Sequence, residues 1–112
     1  MSNTFQSITH KFSIGQLECY LIVAVDDGRP IHVECKNSKT GSTLRELAGA
    51  WCAAITIAFE MGATVDQVVR RFKGVSFAPS GVTSNPDIPE APSLVDYICR
   101  WLELEFCKEF KQ

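Results

Sequence analysis

The stretch LECYLIVAVDDGRPIHVECK, residues 17–36, decides the fold of this chain. Its first half, Leu17–Val25, is rich in leucine, isoleucine, valine and tyrosine, which is typical of a central β-strand. Residues 26–28, Asp-Asp-Gly, are a strong hairpin-turn signal. Beyond the turn, Pro30–Lys36 alternates apolar and polar side chains, which predicts a half-buried strand. The stretch therefore predicts a β-hairpin at the centre of a small antiparallel sheet.

Sequence on either side of the hairpin extends the sheet. Thr4–Phe12 alternates weakly and is followed by a Gly15–Gln16 turn, so it predicts a further strand. On the other side, Asn37–Gly41 is a polar loop. A fourth strand is possible at Val75–Phe77. The predicted sheet thus has three antiparallel strands near the N-terminus and room for one more.

Three helices are predicted after the strands. A capping-box pattern begins a long helix over Thr43–Met61, and Gly62 is a suitable stop. A second such pattern begins a short helix, Thr64–Phe72, and a third opens a C-terminal helix over Ser93–Phe110. Because strands come first and helices afterwards, the predicted class is α+β, with the small sheet packed on the long central helix. The 112 residues are expected to form one domain, 1–112.

Composition and charge exclude several function classes. A net charge of −2 provides no electrostatic footprint for long nucleic acid. No apolar run approaches the ~20 residues that span a bilayer, so no membrane partner is expected. The N-terminal segment MSNTFQSITHKF lacks the apolar region of a secretory signal. A cytoplasmic location is therefore predicted.

Residues with catalytic or metal-binding chemistry are scarce. The odd count of five cysteines and the absence of any C-x-x-C pair favour buried structural thiols over disulfides or zinc ligands. His10 and His32 fall in predicted strands and are expected to face solvent. No hydrolase triad, P-loop or dinucleotide fingerprint is present. The chain is therefore predicted not to be an enzyme, with no catalytic residues, no metal and no cofactor.

A proline-rich stretch between the last two predicted helices is the best candidate for a binding loop. It holds four of the five prolines, which lower the entropy lost on ordering. Phe77 could stack on a base, or equally fill the core. The Asn85 amide could contact a ribose or base edge, with an Asx-turn as the alternative. Pro86 holds this part of the loop in place, and Asp87 could contact a ribose hydroxyl.

Cationic and helix-start residues complete the candidate set. The Arg100 guanidinium could bind phosphate or stack on adenine, with an ion pair to Asp96 as its structural alternative. Thr43 begins a helix, where backbone N–H groups can hold phosphate, although plain capping is the favoured explanation. Arg71 is a lesser candidate whose alternative is a solvated side chain.

The C-terminal helix is apolar around much of its circumference. An exposed apolar stripe marks an interface, so Trp101 and Phe106 are predicted to lie at the boundary of a homodimer or higher homo-oligomer. The alternative is that the sheet and the other helices enclose this helix within one chain.

From Gly41 to Leu102 the chain resembles the TSCPD-type C-terminal domain of adenosylcobalamin-dependent ribonucleotide reductases. Three pieces carry the resemblance: GSTL at 41–44, the pattern F-x-P-S-G-x-T-x-N-P-x-I-P at 77–89, and D-Y-I-x-R-W-L at 96–102. The preceding strands fit the same pattern loosely. The sequence has no counterpart of the reductase barrel or of a tail with paired cysteines.

In size and layout the chain also resembles the phage anti-Thoeris sponges of the first described type, which sequester cyclic ADP-ribose isomers. That resemblance implies non-catalytic sequestration of a small nucleotide signal, either a cyclic ADP-ribose isomer or a cyclic oligonucleotide. The predicted cytoplasmic location would be that of the host cell if the chain is phage-encoded. It further implies that Phe77, Asn85, Asp87 and Arg100 converge on one nucleotide-sized pocket near a subunit boundary. The reductase resemblance implies instead a detached accessory or regulatory domain. A pure oligomerisation module is the third possibility.

Overall fold

The computed structural model of the chain describes residues 4–37 and 42–107. Its order of elements confirms the α+β class, with an antiparallel sheet of N-terminal strands followed by helices. The elements are β1 (Gln6–Ile14), β2 (Leu17–Asp26), β3 (Arg29–Asn37), α1 (Thr43–Glu60), α2 (Val65–Phe72), β4 (Gly81–Val82), β5 (Glu90–Ala91) and α3 (Leu94–Phe106).

Two tight turns set the register of the three-stranded sheet β1-β2-β3. Ile14 pairs with Leu17, so a two-residue turn joins β1 to β2. The second turn has positive φ at both central residues, 53° at Asp27 and 74° at Gly28, as a type I′ hairpin requires. With this register, one face of the sheet collects alternate buried side chains from all three strands, and that face meets the helices.

Helix α1 lies along β3. The Thr56 hydroxyl accepts a hydrogen bond from the backbone N–H of Val33 at 2.9 Å and lies 3.2 Å from its carbonyl oxygen. These are backbone groups of an edge strand that would otherwise lack a sheet partner. A buried threonine in the middle of a helix thus provides a partner for the backbone N–H of Val33 on this edge strand.

Helix α3 occupies the interior of the chain. It contacts α2 and β5, and the ring of Tyr97 stacks on Phe12 of β1 with centroids 3.9 Å apart. Eight of its thirteen residues are buried. Trp101 is only 4% exposed within the single chain. Trp101 is therefore covered within one chain, as the enclosed-helix alternative expects, whereas Phe106 is half-buried. The oligomeric state stays a prediction.

Several boundaries differ from the sequence predictions. The fourth strand at Val75–Phe77 is wrong, because the short hairpin β4–β5 forms further along the loop. The cap of α1 is Ser42, whose hydroxyl accepts from the Arg45 N–H at 3.1 Å, so the helix cap lies one residue earlier than predicted. Asn37 was predicted to begin a loop but is the last residue of β3. The rest of that predicted loop, 38–41, and the last turn toward Phe110 lie outside the described residues.

Candidate functional site: an apolar pocket and a tethered loop

An apolar pocket of about 510 Å³ lies between the N-terminal halves of α1 and α3 and the start of the proline-rich loop. This volume falls within the range of small-molecule sites. Its lining contains no charged residue. The lining residues are Thr43, Leu44, Leu47, Ala48, Trp51, Phe77, Ala78, Leu94, Val95 and Ile98.

Helix caps and one loop hydrogen bond position this lining. Ser42 begins α1, so residues 43, 44, 47, 48 and 51 fall on one face of the helix. Ser93 begins α3 in the same way and accepts from the Asp96 N–H at 3.0 Å. The backbone N–H of Phe77 donates to the Pro92 carbonyl at 3.0 Å, which fixes the loop over the pocket. The pocket is therefore built from elements whose starting points are encoded locally.

Two large side chains at the rim of the pocket are accessible to solvent. Leu47 is 64% exposed and Phe77 is 42% exposed. Deeper in, the Trp51 ring meets Phe72 edge-on at 5.5 Å between centroids. The Trp51 Nε1 atom is buried and has no hydrogen-bond acceptor among the described residues. The pocket can therefore take an apolar or aromatic group, and it has no titratable side chain that could carry out acid–base chemistry.

The Asn85 side chain belongs to the internal framework of the loop. Its Oδ1 accepts from the Asp87 N–H at 2.9 Å, which is the Asx-turn alternative. Its Nδ2 donates to the Tyr97 hydroxyl at 3.1 Å. Nearby, the Ser84 hydroxyl accepts from the Ser13 N–H at 2.9 Å. These contacts hold the tip of the loop against α3 and the β1–β2 turn.

His10 completes a polar chain beneath the sheet. Its Nε2 lies 2.8 Å from the Tyr97 hydroxyl, and its ring stacks on Trp101 at 5.1 Å. Because Asn85 donates to the same hydroxyl, Tyr97 is positioned to donate to a neutral His10. Burial lowers the pKa of His10, and the Glu105 carboxylate partly opposes this. The prediction that His10 faces solvent is therefore wrong, whereas His32 is exposed as expected.

Arg100 is engaged in an internal ion pair. Its Nε donates to Asp96 Oδ2 at 2.9 Å, and its terminal nitrogen donates to the Glu90 carbonyl. Asp96 is buried, and its other carboxylate oxygen accepts from the Gly74 N–H at 2.7 Å. The structural alternative for Arg100 is thus formed. The pair ties α3 to both ends of the proline-rich loop.

The sequence-predicted site residues fall into separate groups. Thr43 and Phe77 line the apolar pocket together. Asn85 and Arg100 do not line it, and their polar atoms bond within the chain. The remaining three residues are exposed. Pro86 and Asp87 lie in the loop, and Arg71 lies on α2 with its guanidinium 5.9 Å from the Phe72 ring.

Three cysteines from different elements meet in the core. Cys19 of β2 and Cys52 of α1 both hydrogen-bond to the thiol of Cys35 on β3. These contacts lower the pKa of Cys35, and together with burial they raise the pKa of the other two. All five cysteines lie among the described residues, are buried and form no disulfide. Within residues 4–37 and 42–107, no group of three or more His, Cys, Asp or Glu side chains is arranged so that it could hold a metal ion.

The sequence did not predict most of the pocket lining, or the hydrogen-bonded group formed by His10, Tyr97 and Asn85. Leu47, Trp51 and Leu94 carry no signal that separates a pocket lining from an ordinary core. The inward position of His10 could have been predicted from the sequence, because His10 shares one face of β1 with Phe12 and Ile14. Extending the alternation of β1 from these two buried residues places the His10 side chain on the same inward face.

The pocket and the anchored loop belong to an α+β fold with a three-stranded antiparallel sheet, a two-stranded sheet and three helices among its described residues. The family model for the TSCPD domain matches residues 2–106. The chain therefore belongs to the TSCPD domain family.

Curated relatives of the chain are much longer proteins. A vitamin B12-dependent ribonucleotide reductase from Rhodopirellula baltica is 42% identical over 107 residues, which are 95% of this chain and 10% of the reductase. The same kind of reductase from Streptantibioticus cattleyicolor is 38% identical over 101 residues, or 88% of this chain and 17% of that protein. The chain thus spans between a tenth and a sixth of these relatives. No solved structure was found to match it.

None of the described helices is long and apolar enough to cross a membrane.

Proposed function

We propose that this chain is a non-catalytic accessory or regulatory domain that acts by binding a vitamin B12-dependent ribonucleotide reductase. One observation carries the proposal: the similarity covers 95% of this chain but only 10% of the Rhodopirellula baltica reductase. What the two proteins share is therefore a domain-sized unit, while the remaining nine-tenths of the reductase has no counterpart in this chain.

The geometry of the candidate site supports binding over catalysis. The pocket lining is apolar apart from the Thr43 hydroxyl and the Trp51 indole nitrogen, and no lining residue is charged. The polar side chains that could contact a ligand already have partners within the chain, Asn85 with Tyr97 and Arg100 with Asp96. A rigid apolar pocket with exposed Leu47 and Phe77 at its rim is suited to receive an apolar group of a partner.

A binding measurement with the reductase tests the proposal. The Rhodopirellula baltica reductase is prepared without the region that matches this chain, and titration calorimetry measures its affinity for the purified domain. We expect micromolar or tighter binding and a change in the rate of ribonucleotide reduction. The intact reductase is the control, because its own matching region should compete and weaken binding at least about tenfold. Absence of both binding and any effect on the rate would contradict the proposal.

Sequestration of a cyclic ADP-ribose isomer is the second candidate. One observation favours it: Thr43 and Phe77, both predicted ligand contacts, line one pocket of about 510 Å³. The lining holds no cation to pair with phosphate, and Arg100 already pairs with Asp96. For this reason the reductase partner is preferred. Calorimetry with cyclic ADP-ribose isomers decides between them, since a sponge binds tightly and releases the ligand intact on denaturation.

A further inference from the structure

The outward face of α1 is an unpartnered apolar stripe. Three of its large side chains are highly exposed: Leu47 at 64%, Ile57 at 59% and Met61 at 83%. Two exposed alanines, Ala50 and Ala54, lie between them. The five positions are spaced by three, four, three and four residues, which is the a/d repeat of a helix that packs against another helix. We call these five residues the α1 stripe.

The α1 stripe has the size and shape of a helix-docking site. Leu47 and Met61 are fourteen positions apart, which corresponds to a rise of about 21 Å along a helix axis. The small side chains at its centre allow the backbone of another helix to approach closely. Leu47 also belongs to the rim of the apolar pocket, beside Phe77. A helix lying along the stripe could therefore place a large apolar side chain into the pocket, in the manner of helix-in-groove recognition.

The charged residues beside the stripe indicate which kind of partner helix can bind there. On one flank, the positions next to the repeat hold Glu46 and Glu60, and both carboxylates are on exposed residues. On the other flank lie Leu44 and Trp51, which lead into the pocket. Arg45 is the nearby cation, and its guanidinium donates to the Asn37 carbonyl at 3.4 Å. A partner helix lying on the stripe would thus meet an acidic flank on the side of Glu46 and Glu60.

We propose that the α1 stripe binds an amphipathic helix whose apolar face is flanked by lysine or arginine, supplied by the reductase; this proposal rests on the proposed function above. The acidic flank argues against a second copy of this chain packed antiparallel on the stripe. Two-fold symmetry would bring Glu46 of one chain toward Glu60 of the other at both ends of such a pair. A basic flank on the partner converts the same carboxylates into attractive contacts.

Two binding probes test separately whether the α1 stripe is the binding surface and whether the reductase is the partner. The first is the Rhodopirellula baltica reductase without its matching region. The second is a designed 21-residue helix with leucine at a/d positions and lysine at the flanking positions, compared with the same helix carrying glutamate there. Fluorescence anisotropy gives the dissociation constant of each. We expect the domain to bind the reductase and the lysine helix, and to bind the glutamate helix at least about tenfold more weakly.

Substitutions on the exposed surface locate the contact without disturbing the core. Ile57→Ser should weaken binding of both probes about tenfold, and the double variant Glu46→Lys with Glu60→Lys should weaken it about three- to tenfold. Val82→Ser and Glu90→Lys are the matched controls. Val82 is 68% exposed, lies beside the β1–β2 turn and is not part of the stripe. These control variants should bind as the wild type does, and thermal melts should confirm that all variants remain folded.

The remaining outcomes are also decisive. Reductase binding that is indifferent to Ile57→Ser would overturn the stripe and leave the proposed function standing. Binding of the lysine helix without binding of the reductase would support the surface and overturn the reductase as partner. Equal affinity for the lysine and glutamate helices would overturn the charge selection. A wild-type dimer in sedimentation equilibrium that Ile57→Ser dissociates would show a self-interface and overturn the proposal.

Discussion

Helices α1 and α3 are both apolar in sequence, yet they occupy opposite environments. The described helix α3 is enclosed by β1, α2 and the proline-rich loop, and its Leu102 and Tyr97 are 0% exposed. Helix α1 is longer, but only five of its eighteen residues are buried, and Leu47 and Ile57 are largely open to solvent. An apolar composition therefore does not reveal which helix forms the core and which one presents a surface.

The comparison of leucines is the strongest test of this difference. Leu102→Ala should lower the free energy of unfolding by about 2–5 kcal/mol, because it leaves a cavity in a fully buried site. Leu47→Ala should change it by no more than about 0.5 kcal/mol, because Leu47 is mostly solvated. Urea denaturation of the two variants measures both values. Equal losses would mean that α1 is covered as thoroughly as α3.

The burial of α3 extends to its charged groups. Asp96→Ala should cost about 2–4 kcal/mol, since it removes the partner of Arg100 and the acceptor of the Gly74 N–H. The estimate lies below that for a fully buried pair because the Arg100 side chain is 28% exposed. Asp66 is the matched control, as it forms the same i,i+4 pair with Arg70 on the surface of α2. Asp66→Ala should cost less than about 1 kcal/mol in the same urea titration.

The hydroxyl of Tyr97 gives a smaller and more specific effect. Tyr97→Phe should lower the free energy of unfolding by about 1–2 kcal/mol, because Asn85 Nδ2 and His10 Nε2 each lose a hydrogen-bond partner. Tyr20→Phe is the control, since Tyr20 is 43% exposed on the outer face of the sheet. Amide hydrogen exchange should also show faster opening of the loop around Asn85. Unchanged exchange there would contradict the tether.

The dependence of stability on pH should show the smallest effect. Burial holds the folded-state pKa of His10 below the unfolded value of 6.5. The folded state therefore resists protonation of His10, and its contribution to stability is complete above pH 6.5 and decreases as the pH falls. Urea midpoints at several values between pH 7.5 and 5.5 measure this slope. His10→Gln should reduce it, and an identical slope in that variant would assign the effect to other groups.

Much of the fold is predictable because its signals are local. Residues 26–28 adopt the turn that their Asp-Asp-Gly sequence favours, and the alternation in β2 and β3 matches their buried face. Thr64 forms the complete capping box with Gln67. The strand predicted at Val75–Phe77 was wrong because three residues are too short a pattern to distinguish a strand from an irregular segment.

The candidate site is less predictable because each polar residue had two uses. Asn85 and Arg100 have the chemistry to contact a nucleotide, but the fold places their partners within the chain, at Tyr97 and Asp96. Phe77 and Thr43 do share a pocket, yet most of its lining is leucine, valine, isoleucine and alanine. Such residues serve cores and pockets alike, so their positions in three dimensions decide which they form.

By itself, the sequence determined the α+β class, the hairpin, the caps of α2 and α3 and the resemblance to the reductase domain, because each depends on residues close together in the chain. Only the tertiary structure decided that α3 is enclosed, that the α1 stripe is open and that Tyr97 joins His10 to Asn85. These features depend on contacts between residues up to 87 positions apart. Periodicity shows that a helix has an apolar face, but which element covers that face depends on how the whole chain packs.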